Sequence, residues 1–330
     1  MTKIVQVGMG PLGQKTVRFL AERPNLKLVG AVDPAADKVG KDAGELCGLK
    51  RLGVRIAKDL ESALRGKKAD VAILTTVSDL KRIEAQIAAL ARAGLPVVST
   101  CEELSFPWDT SPAISRRIDA VCRKHGVACV GTGVNPGFLM DFLPSALTGV
   151  CQKVRKVRVE RIQDASPRRV PFQQKIGAGL TLAQFRKKKA AGTLRHVGLT
   201  ESMHMIARAM GWKVTRTTES LKPVIAKTKI TSGYMPIEPG MACGVEQIGR
   251  AYIGKREVIR LEFRAAVGEP KSYDAVEISG DPAIRSIVEG GVNGDIATCA
   301  IVLNAVMAIR KVSPGLKTML DLPAVTCATE

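Results

Sequence analysis

Two adjacent acids, Glu102 and Glu103, follow the apolar run Pro96–Thr100 in the chain. A run of that kind reads as a buried strand, and residues just past its carboxyl end are where an open α/β sheet places its ligands. A carboxylate there stabilises a neighbouring cation and can accept a proton from an amine. An alkoxide forming on a carbonyl needs the opposite, a proton or a positive charge. The acid pair therefore favours an iminium or ammonium over an alcohol as the group acted upon. Glu102 is the favoured proton acceptor because it is nearer the strand, and Glu103 is the alternative. Both could also be acids that simply open a helix in solvent.

A second chemistry-bearing stretch opens the chain. Gly8-Met9-Gly10-Pro11-Leu12-Gly13 stands between the apolar run Lys3–Val7 and a helical pattern from about Gln14. This is G-x-G-x-x-G in the strand–turn–helix setting of a dinucleotide site. The first glycine allows the turn, the second admits a pyrophosphate, and the third lets helix and strand approach. The helix N-terminus offers unpaired N–H groups to the phosphates. Asp33 ends the next apolar run about 20 residues beyond Gly13, where a ribose-binding carboxylate is expected. Asp33 favours NAD(H). Lys38 and Lys41, close behind, could neutralise the 2′-phosphate of NADP(H), so either cofactor or both would fit. Thr75, Thr76, Thr100 and the Thr132–Gly137 turn with Asn135 and Pro136 close further strands on the same edge and join the candidate cofactor set.

The elements around these residues alternate strand and helix through the first half, which implies a parallel sheet with helices on both faces. One such helix is Asp37–Leu46. Another, Phe138 to about Val150, takes Pro136 in its first turn. The second half reads differently. Val154–Ile162 alternates, helices are expected near 182–191 and 201–210 with Thr181 and Thr200 as caps, and four strand-like stretches follow between 212 and 278. The expected fold is α/β: a Rossmann-type parallel-sheet domain over 1–150, then an α+β domain over 151–330 with a mostly antiparallel sheet. The last helix, about 295–310, is expected to pack back on the first domain. Hydride transfer would take place in the cleft between the two. Val157, Val159, Arg161 and Gln163 share one face of an alternating strand. An Arg on that face either stands at the open strand end, where it could bind a substrate carboxylate, or pairs an acid. His196 is a further substrate candidate, although a lone histidine before a helix more often just hydrogen-bonds. Thr298 and Cys299, on the last helix, join them by position alone.

Composition narrows the class. Of 330 residues, 45% are hydrophobic and 25% charged, ordinary for a globular chain, and no apolar run reaches membrane-spanning length. The N-terminus lacks a signal-peptide pattern. Eight cysteines without a C-x-x-C pair point to reduced thiols and a cytoplasmic protein. Three histidines without H-E-x-x-H spell no metal site. The net charge of +19 is spread along the chain and aromatics are only 4%, so a basic surface that attracts an anionic dinucleotide explains it better than nucleic-acid binding.

Three runs together resemble a known family: the glycine motif, Val97-Val98-Ser99-Thr100-Cys101-Glu102-Glu103-Leu104-Ser105, and Gly131-Thr132-Gly133-Val134-Asn135-Pro136-Gly137-Phe138. The sequence resembles 2,4-diaminopentanoate dehydrogenases and related amine dehydrogenases with a dihydrodipicolinate-reductase-like N-terminal domain. The resemblance is clearest over the first half and extends through the tail Gly315–Pro323. It implies interconversion of an amine with a carbonyl compound plus ammonia, a nicotinamide cofactor and a homodimer. It also implies that a glutamate of the run acts on ammonia, which falls on Glu102 or Glu103, and that the Asn-Pro-Gly turn lies by the nicotinamide, which falls on Asn135. A rival reading is a dihydrodipicolinate reductase or a semialdehyde or hydroxy-acid oxidoreductase. The paired histidines with a nearby lysine used by those reductases are absent. A non-catalytic nucleotide sensor would not need the acid pair.

Overall fold

The short apolar runs of the first half become strands because turn residues bound each one and amphipathic helices cover them. In chain order these are β1 (Thr2–Val7), α1 (Pro11–Ala21), β2 (Leu26–Val32), α2 (Ala43–Leu46), β3 (Ile56–Ala57) and α3 (Leu60–Leu64). Next come β4 (Val71–Leu74), α4 (Leu80–Arg92), β5 (Val97–Ser99), α5 (Pro112–Lys124) and β6 (Ala128–Gly131). The second half adds α6 (Phe142–Leu147), β7 (Lys153–Asp164), α7 (Val170–Lys175), α8 (Leu182–Ala190), α9 (Leu199–Ala209) and β8 (Arg216–Ile225). After a small hairpin of β9 (Ile230–Thr231) and β10 (Pro236–Ile237) follow β11 (Ala242–Ile253), β12 (Arg256–Ala266), β13 (Tyr273–Asp281) and β14 (Ile284–Glu289). The last elements are α10 (Gly294–Ile309) and β15 (Gly315–Lys317). This computed structural model describes residues 1–194 and 196–328.

The chain divides into two units, Met1–Phe138 with Asn293–Glu330, and Leu139–Val292. The first unit holds a seven-stranded sheet in the order β15-β6-β5-β4-β1-β2-β3. All its pairings are parallel. α4 shows how the sequence builds it. The Asp79 carboxylate accepts the Arg82 N–H at 2.8 Å and starts the helix. Leu80, Ile83, Ile87 and Leu90 recur at helical spacing and are buried against Val5, Leu74 and Val97. Each such buried aliphatic side chain contributes about 1.5–3 kcal/mol.

The second unit is a six-stranded sheet, β14-β13-β7-β12-β11-β8, in which only β7–β12 is parallel. Val157 and Val159 of β7 stand beside Ile259 and Leu261 of β12 on its buried face. α9 lies on that face. A side chain at Gly249 would meet Leu199 and Met203 at 3.0–3.1 Å, so the missing Cβ sets how closely helix and sheet pack.

Several elements depart from expectation. The helix expected from Phe138 is turn as far as Asp141, whose carboxylate accepts the Phe142 N–H and starts α6 there. Pro136 therefore lies in a turn, after a cis peptide bond to Asn135, and not in a helix. Asp37–Leu46 shrinks to α2 because the Asp42 carboxylate gathers the N–H groups of Gly44, Glu45, Leu52 and Val54. α9 begins two residues earlier than a Thr200 cap would have it, at a Gly198 N-cap with φ +98°. The Thr200 hydroxyl instead donates to Glu219 at 2.5 Å. α10 packs on α1, with Arg23 Nη1 donating to Asn304 at 2.5 Å, and β15 pairs with β6, so the tail belongs to the first unit.

Candidate active site

The turn after β1 is built around its glycines. Gly8 has φ +92°, and a Cβ there would lie 2.8 Å from the Thr75 carbonyl oxygen. A Cβ at Gly13 would lie 2.0 Å from the Gly8 carbonyl oxygen, so α1 can start this close to β1 only without a side chain. At Gly10 a Cβ would meet no protein atom within 4 Å. The packing of the chain itself thus asks for glycine at 8 and 13 but not at 10. Thr75 pins the turn from β4 by donating its hydroxyl to the Gly8 carbonyl at 3.0 Å. Gln6, a buried polar residue in an apolar strand, donates from Nε2 to the same carbonyl at 3.0 Å and to the Thr75 hydroxyl at 2.8 Å. Pro11 occupies the first turn of α1, where its missing N–H costs nothing.

Asp33, at the end of β2, is buried. Its Oδ2 accepts the Met9 N–H at 2.9 Å and the Lys38 ammonium at 2.9 Å, and its Oδ1 accepts the Ala35 N–H at 3.0 Å. Burial alone would raise its pKa. The Lys38 hydrogen bond, the Ala35 and Met9 amides and the Lys38 charge outweigh burial and hold the carboxyl below its usual range. These groups open on a cavity of about 510 Å³ lined by Gly8, Gly10, Asp33, Lys38, Thr75 and Thr76, with Pro34 and Gln86 beside them. Gln86 accepts the Thr76 hydroxyl at 2.8 Å. Sequence reasoning missed Gln86, because only the docking of α4 brings it here. Met9 is fully buried and Leu12 half-buried, and neither lines this cavity. Lys41 is exposed and does not line this cavity.

Glu102 and Glu103 open a single 3₁₀ turn after β5. β5 and β1 flank β4 in a parallel sheet, so the acids and the glycine turn lie beyond the same edge. The two acids are placed differently. Glu103 Oε2 accepts the Leu80 N–H at 2.9 Å, at the first turn of α4. Both are half-buried, and Glu102 is nearer the strand. Thr100, between them and β5, donates its N–H to the Leu74 carbonyl at 3.1 Å. The Thr132–Gly137 turn is held from α10, since the Thr298 hydroxyl accepts the Val134 N–H at 3.3 Å. Gly137 has φ +126°, and a Cβ there would sit 2.4 Å from the Gly133 nitrogen. Cys299 faces the other way. Its buried sulfur accepts the Thr16 hydroxyl at 3.5 Å, beneath α1.

In the second unit Arg161 is 2% exposed. Its Nη1 donates to Asp274 Oδ1 at 2.7 Å and its Nη2 to the Val292 carbonyl at 2.9 Å. This matches the acid-paired alternative for an arginine on that face. Burial pushes the Asp274 pKa up and the Arg161 pKa down, each against the pull of its partner. The His196 N–H donates to Gln247 Oε1 at 2.7 Å, its Nδ1 stands 2.8 Å from the Val197 carbonyl, and its ring meets Phe263 edge-on. Burial, with the Lys175 charge, pushes its pKa down to about 3, so the imidazole is neutral. Among the described residues, no group of three or more His, Cys, Asp and Glu is placed to hold a metal.

Residues 138–330 match the 2,4-diaminopentanoate dehydrogenase C-terminal domain, and residues 2–101 match the dihydrodipicolinate reductase N-terminus. The 2,4-diaminopentanoate dehydrogenase of Acetoanaerobium sticklandii is 30% identical over 335 residues, 97% of this chain and 93% of that protein. An amine dehydrogenase of Streptomyces virginiae is 24% identical over 98% of this chain and 96% of its own. The solved structure of an amine dehydrogenase from Mycobacterium smegmatis, 23% identical, has the same fold, with a TM-score of 0.87 over 100% of this chain and 98% of that one.

Proposed function

The chain belongs to the 2,4-diaminopentanoate dehydrogenase family, and on that premise we propose that it is an amine dehydrogenase. It converts a ketone or aldehyde and ammonia reversibly into an amine, with a nicotinamide dinucleotide as cofactor. The observation that carries this reading is an acid beyond β5, on the same sheet edge as a glycine turn whose middle glycine faces open space.

The first unit fits a dinucleotide. Gly10 leaves its Cβ direction clear for a pyrophosphate, the N-terminus of α1 offers it N–H groups, and Asp33 and Lys38 line the adjoining cavity. Thr75 and Thr76 hold the far side of that cavity, and Asn135 with the Thr132–Gly137 backbone orients the carboxamide end. When bound in its reduced form, the cofactor supplies the hydride that turns an iminium carbon into an amine carbon. The Lys38 ammonium already compensates the Asp33 charge, so we assign the site to both NAD(H) and NADP(H).

The acid's work is proton transfer. The Glu102 carboxylate takes a proton from ammonium, the ammonia so freed attacks the carbonyl carbon, and a nitrogen proton passes to the oxygen as the neutral carbinolamine forms. The protonated carboxyl returns that proton to the departing hydroxyl, which leaves as water. The carboxylate so regenerated faces the iminium and stabilises its charge. Glu102 is preferred over Glu103 because the Glu103 carboxylate serves the first turn of α4. A reductase reading is supported only by the first unit, since the second-half match is to the dehydrogenase family.

Among the described residues no helix is long and apolar enough to cross a membrane, and the cysteines are thiols outside any disulfide. A homodimer in the cytoplasm suits those thiols, with small carbonyl compounds or amines and ammonia as its ligands and no nucleic-acid partner. A screen of NADH and NADPH oxidation across ketones, aldehydes and keto acids, with and without ammonium, tests the function. Oxidation should require carbonyl and ammonium together. Ammonium-independent formation of an alcohol would overturn the assignment.

A further inference from the structure

Gln6 is an amide in the middle of the parallel sheet. It lies abreast of Ala31 on β2 and Ile73 on β4, and it is fully buried. A buried amide is costly unless its groups are paired. Its Nε2 is paired twice, to the Gly8 carbonyl and to the Thr75 hydroxyl. Its Oε1 has no hydrogen-bond partner among the described residues. The Gly8 carbonyl fixes that orientation, because an amide oxygen turned toward it would face a second acceptor. Folding does not call for this arrangement. The Gly8 carbonyl already accepts the Thr75 hydroxyl at 3.0 Å. An apolar residue at position 6 would therefore leave that carbonyl satisfied and would remove the unpaired Oε1.

What the second donor adds is direction. The Gly8–Met9 peptide is trans and planar, so its N–H points opposite to its carbonyl. Gln6 and Thr75 draw the carbonyl inward. The Met9 N–H accordingly points the other way and donates to Asp33 Oδ2 at 2.9 Å. On its N-terminal side Gly8 is anchored to β2, through its N–H on the Val32 carbonyl at 2.8 Å. Beyond that point a glycine at φ +92°, with no side chain, gives the next peptide plane little resistance to rotation. One rigid plane thus joins a buried amide to the glycine turn and to the acid at the end of β2. On the premise that the first unit binds a dinucleotide, we propose that Gln6 is a positioning residue for it. Gln6 holds the Gly8–Met9 peptide in the orientation that sets the glycine turn toward the pyrophosphate and Asp33 toward the ribose. A plane held in advance does not have to be ordered when the cofactor binds.

Gln6→Met tests this in the full-length protein, because it fills a similar volume and removes the donor. Three quantities are read: the melting temperature of the apo-protein, hydrogen exchange at the Met9 amide in the apo-protein, and the dissociation constants of NADH and NADPH by fluorescence titration. The variant should melt at the wild-type temperature or above it. Loss of one neutral hydrogen bond should speed exchange at Met9 by about 3- to 10-fold and raise both dissociation constants by a similar factor. Wild-type exchange at Met9, or wild-type affinity for both cofactors, would overturn the proposal. So would a melting temperature that falls together with the affinity, since Gln6 would then serve the core and not the cofactor. A wild-type protein that binds neither cofactor would overturn the dinucleotide premise and this proposal with it.

Discussion

Replacing Gly10 by alanine should separate cofactor binding from folding. Gly10 has φ −71° and ψ −177°, which any residue adopts, and a Cβ there meets no protein atom within 4 Å. The apo-protein should therefore lose no stability, and the stiffer unfolded chain can add about 0.4–1 kcal/mol. The cofactor should suffer, because the new methyl group occupies the space through which a pyrophosphate approaches the N–H groups of α1. Losing one charge-assisted hydrogen bond costs about 1.5–3 kcal/mol, which corresponds to a dissociation constant raised by roughly 10- to 150-fold. Gly13→Ala is the contrasting variant. Its Cβ starts 2.0 Å from a backbone oxygen, so α1 must shift by about 1 Å, at a cost of about 1–3 kcal/mol or more. Thermal melts of the apo-proteins and NADH and NADPH fluorescence titrations read both quantities. Wild-type affinity in Gly10→Ala would refute the placement of the pyrophosphate. A Gly10→Ala melting temperature lowered as far as that of Gly13→Ala would refute the claim that the chain itself does not need this glycine.

Glu102→Gln should lower kcat by about 10²–10⁴ with cofactor affinity unchanged. Glu103→Ala should instead cost about 0.5–2 kcal/mol of stability as the first turn of α4 loses its acceptor, and should keep turnover; the reverse pattern in steady-state kinetics would move the role to Glu103. Lys38→Ala should weaken NADPH about tenfold more than NADH, because it uncovers the Asp33 charge against the 2′-phosphate; equal losses in paired titrations would exclude Lys38 as a discriminator. His196 binds its proton less readily folded, with a pKa of about 3, than unfolded at 6.5. Its contribution to stability is therefore complete above pH 6.5 and is lost as pH falls from there toward 3. His196→Gln should flatten that stretch of a stability–pH curve, and an unchanged slope would show that the histidine is not held neutral.

What could be read from the chain follows the range of the physics involved. Local signals were sufficient for α4, where Asp79 caps four apolar residues at helical spacing, and for α8, where Thr181 is the expected cap. The glycine motif was legible because Gly8 and Gly13 answer to neighbours within a few residues or one strand away, while Gly10 follows from their spacing. The misses depended on distant partners. Asp42 unwinds an expected helix through amides as far off as Val54. β15 exists because β6 offers an edge to Gly315–Lys317. Cys299 and Thr298 are adjacent, yet helical geometry turns one sulfur beneath α1 and one hydroxyl toward Val134.

The acid pair shows the same division. Its placement beyond a strand was available from hydropathy, and with it the case for a nitrogenous substrate. The choice between Glu102 and Glu103 was not, because it turns on where the N-terminus of α4 lies. That helix starts at Leu80, more than twenty residues earlier in the chain, and only the β4–β5 pairing carries its first turn to Glu103. The Leu80 amide commits one oxygen of Glu103 to the start of α4, which suits an anchor. A proton acceptor must give up and regain its proton in every turnover. The hydrogen bond from Leu80 supports the proposal that Glu103 serves the scaffold and Glu102 carries the proton.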